Sequence, residues 1–219
     1  MSELIGGTES NFVSMMNERA KELGMENTNF MNCHGIDEDG HYTCAKDIAL
    51  MSRELMNKHP QITKYTTIWM DSIRSGTFEL SNTNKLIKTY EGITGLKTGF
   101  TTSALYNLSA TATRDNLSLI AVVLGGQTSE IRNNEITQLL NYGFSNYSSI
   151  CLAEKGNVVQ TIQINKNIFE TVDLMYANDA KLLCEKGSKP EYTTNIVIQE
   201  NLSAPLNKRR YSGQSRICR

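Results

Sequence analysis

A lysine, a threonine and a glycine stand together as Lys97-Thr98-Gly99, with Gly95 before them and Thr101 after them. The ammonium group carries a positive charge and the hydroxyls can donate hydrogen bonds, so this segment could bind a carboxylate. The glycines leave the backbone open to close approach by a ligand. An edge-strand lysine that discourages aggregation would show the same local pattern. The local residues leave both interpretations open.

The residues after this segment predict the sheet that carries it. Apolar residues alternate with polar ones in residues 105–113, and residues 117–124 form a more continuous apolar run. Between them, Arg114-Asp115-Asn116 is typical of a hairpin turn. We therefore expect an antiparallel sheet with Lys97 and Thr98 on its edge strand.

Three helices are predicted around this sheet from apolar spacing and capping residues. The first begins after the N-cap Thr8 and ends at Gly24, the second begins after the N-cap Thr43 and ends at His59-Pro60, and the third begins after the N-cap Ser129. The inward faces of the first two are expected to comprise Phe12, Met15, Met16, Ala20 and Leu23, and Ile48, Met51, Leu55 and Met56.

After about residue 146 the sequence changes to short β-rich pieces separated by turns. The predicted strands are residues 158–164, 169–176, 180–184 and 193–199, and one more strand is expected near residues 78–80. The sequence thus predicts an α+β domain over residues 1–146 and a small all-β domain over residues 147–208.

Composition excludes several classes of protein. The 219 residues are 39% hydrophobic and 21% charged, with a formal net charge of -1, which is typical of a globular protein and gives no sign of nucleic-acid binding. No apolar run reaches transmembrane length, and the first residues do not form a signal peptide.

Four possible metal ligands, Cys33, His34, His41 and Cys44, fall within twelve residues. The adjacent pair Cys33-His34 points apart and fits no common zinc spacing, so a loop beside a cleft is the better interpretation and no metal site is predicted. Five cysteines without paired spacing also argue against a disulfide framework.

The longer motifs resemble those of the serine-type D-alanyl-D-alanine carboxypeptidases, the low-molecular-weight penicillin-binding proteins. The resemblance covers nearly the whole chain to about Lys208, and the β-rich part is similar to the C-terminal domain of that family. The matching segments are Gly7-Thr8-Glu9 with Phe12-Val13, Ala20 to Phe30, His34-Gly35-Ile36-Asp37, Asp47-Ile48-Ala49, Gly95 to Gly99 and Leu119 to Gly125.

The resemblance implies a partial penicillin-binding/β-lactamase-like fold and serine acyl transfer. In that family a serine attacks the peptide bond between two terminal D-alanines of a peptidoglycan stem peptide, and β-lactam antibiotics acylate the same serine. Lys97, Thr98, Gly99 and Thr101 would then line the substrate site, with the strand after Gly99 holding the peptide backbone. No cofactor or metal is implied. The parent protein is expected outside the cytoplasmic membrane.

Two family motifs, S-x-x-K and S-x-N, are absent from these residues. In the family order both would precede Met1, so we expect the nucleophile serine and its lysine upstream of Met1 and an inactive chain. Membrane association is expected only through segments outside this sequence.

The last residues, Arg209 to Arg219, lack the glycine turn and strand that the family carries after Lys208. With suitable synonymous codons, a reading frame shifted by one base would encode Gly-Asp-Ile-Val-Gly and an alternating strand. Residues 209–219 are therefore predicted to be an out-of-frame tail.

Two other functions stay open. A non-catalytic module could bind peptidoglycan or a partner through the Lys97 strand, which the missing nucleophile favours. A β-lactamase relative would share the sheet and the triplet, but the β-rich tail argues against it.

Overall fold

A computed structural model describes residues 1–163, 171–188, 190–198 and 213–218. It divides into two compact units, Met1–Ser145 and Asn146–Arg219. The helices are α1 (Ser2–Gly6), α2 (Glu9–Glu22), α3 (Ala45–Lys58), α4 (Thr63–Thr66), α5 (Leu86–Thr89) and α6 (Ser129–Asn146), with a 3₁₀ turn at Pro60–Ile62.

The strands of the first unit form a two-stranded and a three-stranded antiparallel sheet. The two-stranded sheet pairs β1 with β2, and the three-stranded sheet has the order β3-β4-β5. The bounds are β1 (Met70–Ile73), β2 (Phe78–Ser81), β3 (Ile93–Thr101), β4 (Leu105–Arg114) and β5 (Leu117–Gly126).

The hairpin between β4 and β5 confirms the predicted turn. Asp115 and Asn116 have φ of 46° and 63°, the left-handed conformation that tight hairpin turns require and that Asp and Asn tolerate. On β4, Leu108, Ala110 and Ala112 are completely buried. From α6, Ile136 and Leu140 are buried as well. These apolar side chains belong to the core of the first unit.

Two helix starts differ from the prediction by one residue. The N-cap of α3 is Cys44, not Thr43, and the Thr43 hydroxyl instead hydrogen-bonds the Thr28 hydroxyl at 2.8 Å. At the start of α6, the Thr128 hydroxyl accepts from the Ile131 N–H at 3.1 Å, so Thr128 caps the helix and Ser129 is its first residue. The caps at Thr8 and the end at His59 are as predicted.

The inward face of α3 was predicted wrongly in one respect. Asp47 and Ser52 are the buried residues of this helix, whereas Met51 is 38% exposed. Met51 and Met15 of α2 both line an apolar cavity of about 310 Å³. Ser52 is buried because its hydroxyl bonds the Ser109 hydroxyl of β4 at 2.7 Å.

Asp47 fastens the loop that follows α2. Its Oδ2 accepts from the Asn27 N–H and from the Thr28 hydroxyl, each at 2.8 Å. Burial raises the pKa of this carboxyl, but the hydrogen bonds from Thr28, Asn27 and Cys44 and the positive charge of Lys46 together outweigh burial, so the pKa lies below its ordinary value. The ionised carboxylate also lies in the first turn of α3, where the helix dipole favours a negative charge.

This arrangement predicts pH-dependent stability. Because the folded pKa is depressed, the contribution of Asp47 is complete above its unfolded pKa of about 3.9 and is lost as pH falls through the folded pKa. We expect Asp47→Asn to lower the midpoint of urea unfolding at pH 7. At pH 3 the difference in midpoint between this variant and the original chain should be smaller. Fluorescence of Trp69, the single tryptophan, would follow unfolding of the first unit. A difference that is independent of pH would contradict this role.

The second unit is built of paired strands. The pairs are β6 (Tyr147–Ala153) with β9 (Ala180–Glu185), β7 (Val158–Gln163) with β8 (Thr171–Met175), and β10 (Thr193–Ile198) with β11 (Gly213–Cys218).

Strands β6 and β11 were not predicted, whereas strands β7, β8, β9 and β10 were. Residues 164, 169, 170 and 199 of the predicted strands lie outside the described residues. Residues 213–218 pair with β10, and the reading frame of residues 209–219 stays a prediction. In the described part of the chain, no helix has the length and apolar character needed to cross a bilayer.

Candidate active site

Strand β3 carries the lysine and threonine of the candidate site along one edge of its sheet. It pairs with β4 on one side and is the terminal strand in the order β3-β4-β5. The predicted edge-strand position of Lys97 and Thr98 is therefore confirmed. An edge strand presents main-chain N–H and C=O groups to whatever lies beside it, including an extended peptide.

The register between β3 and β4 sets the direction of each side chain. Lys97 lies opposite Ser109, and Thr98 lies opposite Leu108. Residues directly opposite each other point to the same face, so Lys97 shares a face with Ser109 and hence with α3. Neighbouring residues of a strand point to opposite faces, which places the ammonium and the Thr98 hydroxyl on either side of the same edge.

Lys97 is available to bind an anion. Its side chain is exposed, and its Nζ donates to the main-chain oxygen of Thr98. Within the described residues no carboxylate forms an ion pair with it. An exposed ammonium without a carboxylate partner attracts anions such as a peptide carboxylate.

The hydroxyl of Thr98 meets a second hydroxyl from outside the strand. Thr83, in the loop between β2 and α5, lies with its Oγ1 2.5 Å from the Thr98 Oγ1, and either oxygen can be the donor. The loop is held by the Asn82 amide, which donates to the Ile68 carbonyl at 3.0 Å. Asn84 donates to the Gly95 carbonyl at 3.4 Å, so the same loop contacts the start of the Lys97 segment.

At the C-terminal end of β3 the Thr101 hydroxyl makes two hydrogen bonds. It donates to the Asp37 carboxylate at 2.6 Å and accepts from the Ala104 N–H at 2.9 Å. Asp37 comes from the loop between α2 and α3 that was predicted to lie beside a cleft. Gly99 is opposite Asn107, whose side chain donates to the Leu105 carbonyl at 2.9 Å and accepts from the Gly125 N–H at 2.9 Å.

The beginning of the segment is fixed by close packing. Gly95 is buried with φ of 143°, and a Cβ there would lie 2.7 Å from both Cβ and Oγ1 of Thr66. The Thr66 hydroxyl also donates to the Thr94 carbonyl at 2.6 Å. Helix α4, which ends at Thr66, thus sets the path by which the chain enters the site.

Several residues of this arrangement were not predicted from sequence as site residues. Thr66 and Thr83 stand in polar segments without a motif, Asn107 is a polar position of the alternating strand β4, and Asp37 was noted only within His34-Gly35-Ile36-Asp37. The signal available for Thr83 was the run of small polar residues around it, which predicted a loop and no function.

The cysteine and histidine cluster does not converge. The Cys33 thiol donates to Glu9 Oε1 at 3.1 Å, and this hydrogen bond lowers the pKa of Glu9 below its ordinary value. His34 and His41 each accept from a main-chain N–H through Nδ1. Across the described ranges, no three His, Cys, Asp or Glu side chains are grouped to hold a metal ion.

Comparison with known families gives two matches. A family model described as D-alanyl-D-alanine carboxypeptidase matches residues 1–128. A second, described as penicillin-binding protein 5, C-terminal domain, matches residues 147–217.

Curated relatives point the same way. D-alanyl-D-alanine carboxypeptidase DacF of Bacillus subtilis is 40% identical over 212 residues, which cover 95% of this chain and 54% of DacF. DacC of Escherichia coli is 30% identical, covering 95% of this chain and 52% of that protein. The chain thus spans about half the length of the curated relatives it matches.

Solved structures share the fold. Penicillin binding protein 5 from Haemophilus influenzae matches with a TM-score of 0.72 and 30% identity, over 99% of this chain and 63% of that one. Penicillin-binding protein D2 from Listeria monocytogenes, solved in a cefotaxime-bound form, has a TM-score of 0.57 and 36% identity over 62% of this chain and 56% of its own. The predicted fold class, a penicillin-binding type α+β domain followed by a small all-β domain, is confirmed. This chain belongs to the D-alanyl-D-alanine carboxypeptidase family.

Proposed function

We propose that this chain supplies the substrate-binding edge of a serine-type D-alanyl-D-alanine carboxypeptidase. The protein would remove the terminal D-alanine of peptidoglycan stem peptides through an acyl-enzyme, outside the cytoplasmic membrane, and β-lactams would acylate the same serine. The observation that supports this most directly is the exposed Lys97 ammonium, without a carboxylate partner in the described residues, on the edge strand of a chain in this family.

Each residue of the edge would have its own task. Lys97 would attract the terminal carboxylate of the peptide, and the Thr98 hydroxyl would donate to that group. Main-chain groups of β3 would pair with the peptide backbone as an added strand. A main-chain N–H just after Gly99 would stabilise the oxyanion that forms when the serine attacks. Thr101 would support the turn that follows β3 through its hydrogen bonds to Asp37 and Ala104.

The nucleophile would come from outside these residues. No serine in the sequence is followed by lysine at the third position, so the 219 residues hold no S-x-x-K pair for acylation. We therefore propose that the chain by itself is catalytically inactive. The same observation favours a second function, a non-catalytic module that binds stem peptides or a partner through β3.

Labelling with a fluorescent penicillin tests the proposal. The chain alone is expected to form no covalent adduct. A chimera that joins the chain to the N-terminal part of Bacillus subtilis DacF outside the match is expected to form a stable one. In the control chimera, alanine replaces the serine of the family's S-x-x-K motif, which should abolish the adduct.

The outcomes separate the functions. An adduct on the chain alone would contradict its inactivity. A folded chimera without an adduct would contradict the carboxypeptidase edge and leave the binding module. An adduct that hydrolyses within seconds would indicate a β-lactamase relative.

A further inference from the structure

The loop between α2 and α3 reaches the end of β3 through one acidic side chain. This loop is organised by Asn32, which is 5% exposed. The Asn32 Oδ1 accepts from the Gly35 N–H at 2.8 Å, and its Nδ2 donates to the Ile36 carbonyl at 3.0 Å and to Glu38 Oε2 at 2.8 Å. Asp37 lies between these anchored residues, so its position does not depend on Thr101 alone.

The Thr101 hydroxyl has a single proton, and Asp37 takes it. An ionised aspartate can only accept hydrogen bonds, so Thr101 is the donor in the 2.6 Å contact with Asp37 Oδ1. The oxygen of the same hydroxyl accepts from the Ala104 N–H at 2.9 Å. Thr101 therefore has no proton left for a second anion.

Thr98 differs from Thr101 in this respect. Its partner, Thr83, is a hydroxyl that can act as donor or acceptor. Thr83 can donate to Thr98, which frees the Thr98 proton for a carboxylate. Of Thr98 and Thr101, only Thr98 can donate to an anion without losing its present partner.

We propose that Asp37 is a specificity-determining residue that acts through Thr101. It holds the Thr101 proton and places a negative charge at the end of β3, so that a peptide carboxylate is confined to Lys97 and Thr98. This inference rests on the proposed function, because it concerns where the same carboxylate binds. It assigns Thr101 to the support of the loop and not to direct binding of the anion.

The test is a titration of the full 219-residue chain, followed through backbone amide NMR signals. The probes are N-acetyl-D-alanyl-D-alanine and its C-terminal amide, which lacks the negative charge. The variants are Asp37→Ala, the isosteric Asp37→Asn, Thr101→Val and the double variant Asp37→Ala/Thr101→Val. Asp37 is exposed, so its replacement should leave the fold intact.

The inference predicts a distinct result for each of the four variants. Thr101→Val leaves the affinity for the acid within about twofold, since Thr101 does not touch the carboxylate in the original chain. Asp37→Ala raises acid affinity about threefold to tenfold, as expected for one gained hydrogen bond, and leaves amide affinity unchanged. In that variant the Thr101 and Ala104 amides respond to the acid. The double variant loses the part of the gain that comes from the hydrogen bond, and Asp37→Asn shifts affinity in the same direction as Asp37→Ala.

Other results overturn the inference. A tenfold loss of acid affinity in Thr101→Val would make Thr101 a direct ligand. An equal gain in Asp37→Ala and in the double variant would show that Asp37 does not act through Thr101. If the original chain binds acid and amide equally, and Lys97→Ala changes neither affinity, the proposed function itself fails and the role of Asp37 with it.

Discussion

Substitution of Gly95 by alanine is expected to unfold the first unit at much lower urea concentrations than the original chain. The added Cβ would lie 2.7 Å from Thr66 Cβ and Oγ1, closer than non-bonded atoms approach each other. The φ of 143° is also unfavourable for any residue with a side chain. Backbone strain and overpacking of about 1–3 kcal/mol each give an expected loss of about 2–6 kcal/mol.

Gly99→Ala is the matched control on the same strand. A Cβ at Gly99 would lie 3.9 Å from Asn107 Cβ, an ordinary contact, and Gly99 does not have a positive φ. We expect the free energy of unfolding of the Gly99→Ala variant to stay within about 1 kcal/mol of that of the original chain. Urea unfolding followed by Trp69 fluorescence would compare the two variants. Equal midpoints would mean that the contact between α4 and β3 yields easily and does not fix the entry to the site.

Local pattern was sufficient to predict the sheet that carries the site. Alternating apolar residues on β4 and the Asp115-Asn116 turn are short-range signals, because the hairpin needs only neighbouring residues to form. Helix α2 was predictable for the same reason, since its N-cap Thr8 and its end lie within one segment.

Burial on α3 was less predictable because it depends on tertiary partners. Aspartate is seldom fully buried, yet Asp47 is, since donors from Asn27 and Thr28 converge on its Oδ2. Ser52 is buried because a hydroxyl of β4 faces it. The spacing of apolar residues along α3 carries no information about these tertiary partners, so it could not predict either burial.

The candidate site shows the same contrast between residues that local sequence predicts and residues that only tertiary contacts bring together. Lys97 and Thr98 could be proposed from residue type, and their place on an edge strand followed from the predicted sheet. Their neighbours could not be, because Thr83 lies 15 residues from Thr98 and Asp37 lies 64 residues from Thr101. Contacts between such distant residues depend on the complete chain path, which single-sequence periodicity does not contain.

Lys97→Ala in the DacF chimera is expected to slow both acylation by penicillin and release of D-alanine from a stem pentapeptide. Loss of a cation that pairs with a desolvated carboxylate costs about 2–5 kcal/mol, which corresponds to a reduction of about 30-fold to several thousandfold. Lys97→Arg should recover part of the rate, because arginine keeps the positive charge but carries it on a planar guanidinium in place of a compact ammonium. Lys21→Ala, an exposed lysine on α2, is the control and should leave both rates unchanged.

Two readouts distinguish anion binding from a structural role of Lys97. Its side chain is exposed and makes no ion pair within the described residues, so Lys97→Ala should change the free energy of unfolding by less than about 0.5 kcal/mol. If the ammonium attracts the carboxylate, the acylation rate of the unmodified chimera should fall as salt is added, and the alanine variant should lose much of this dependence. Unchanged acylation in Lys97→Ala, with the fold intact, would remove Lys97 from the substrate site and leave it as a lysine that protects a sheet edge from association.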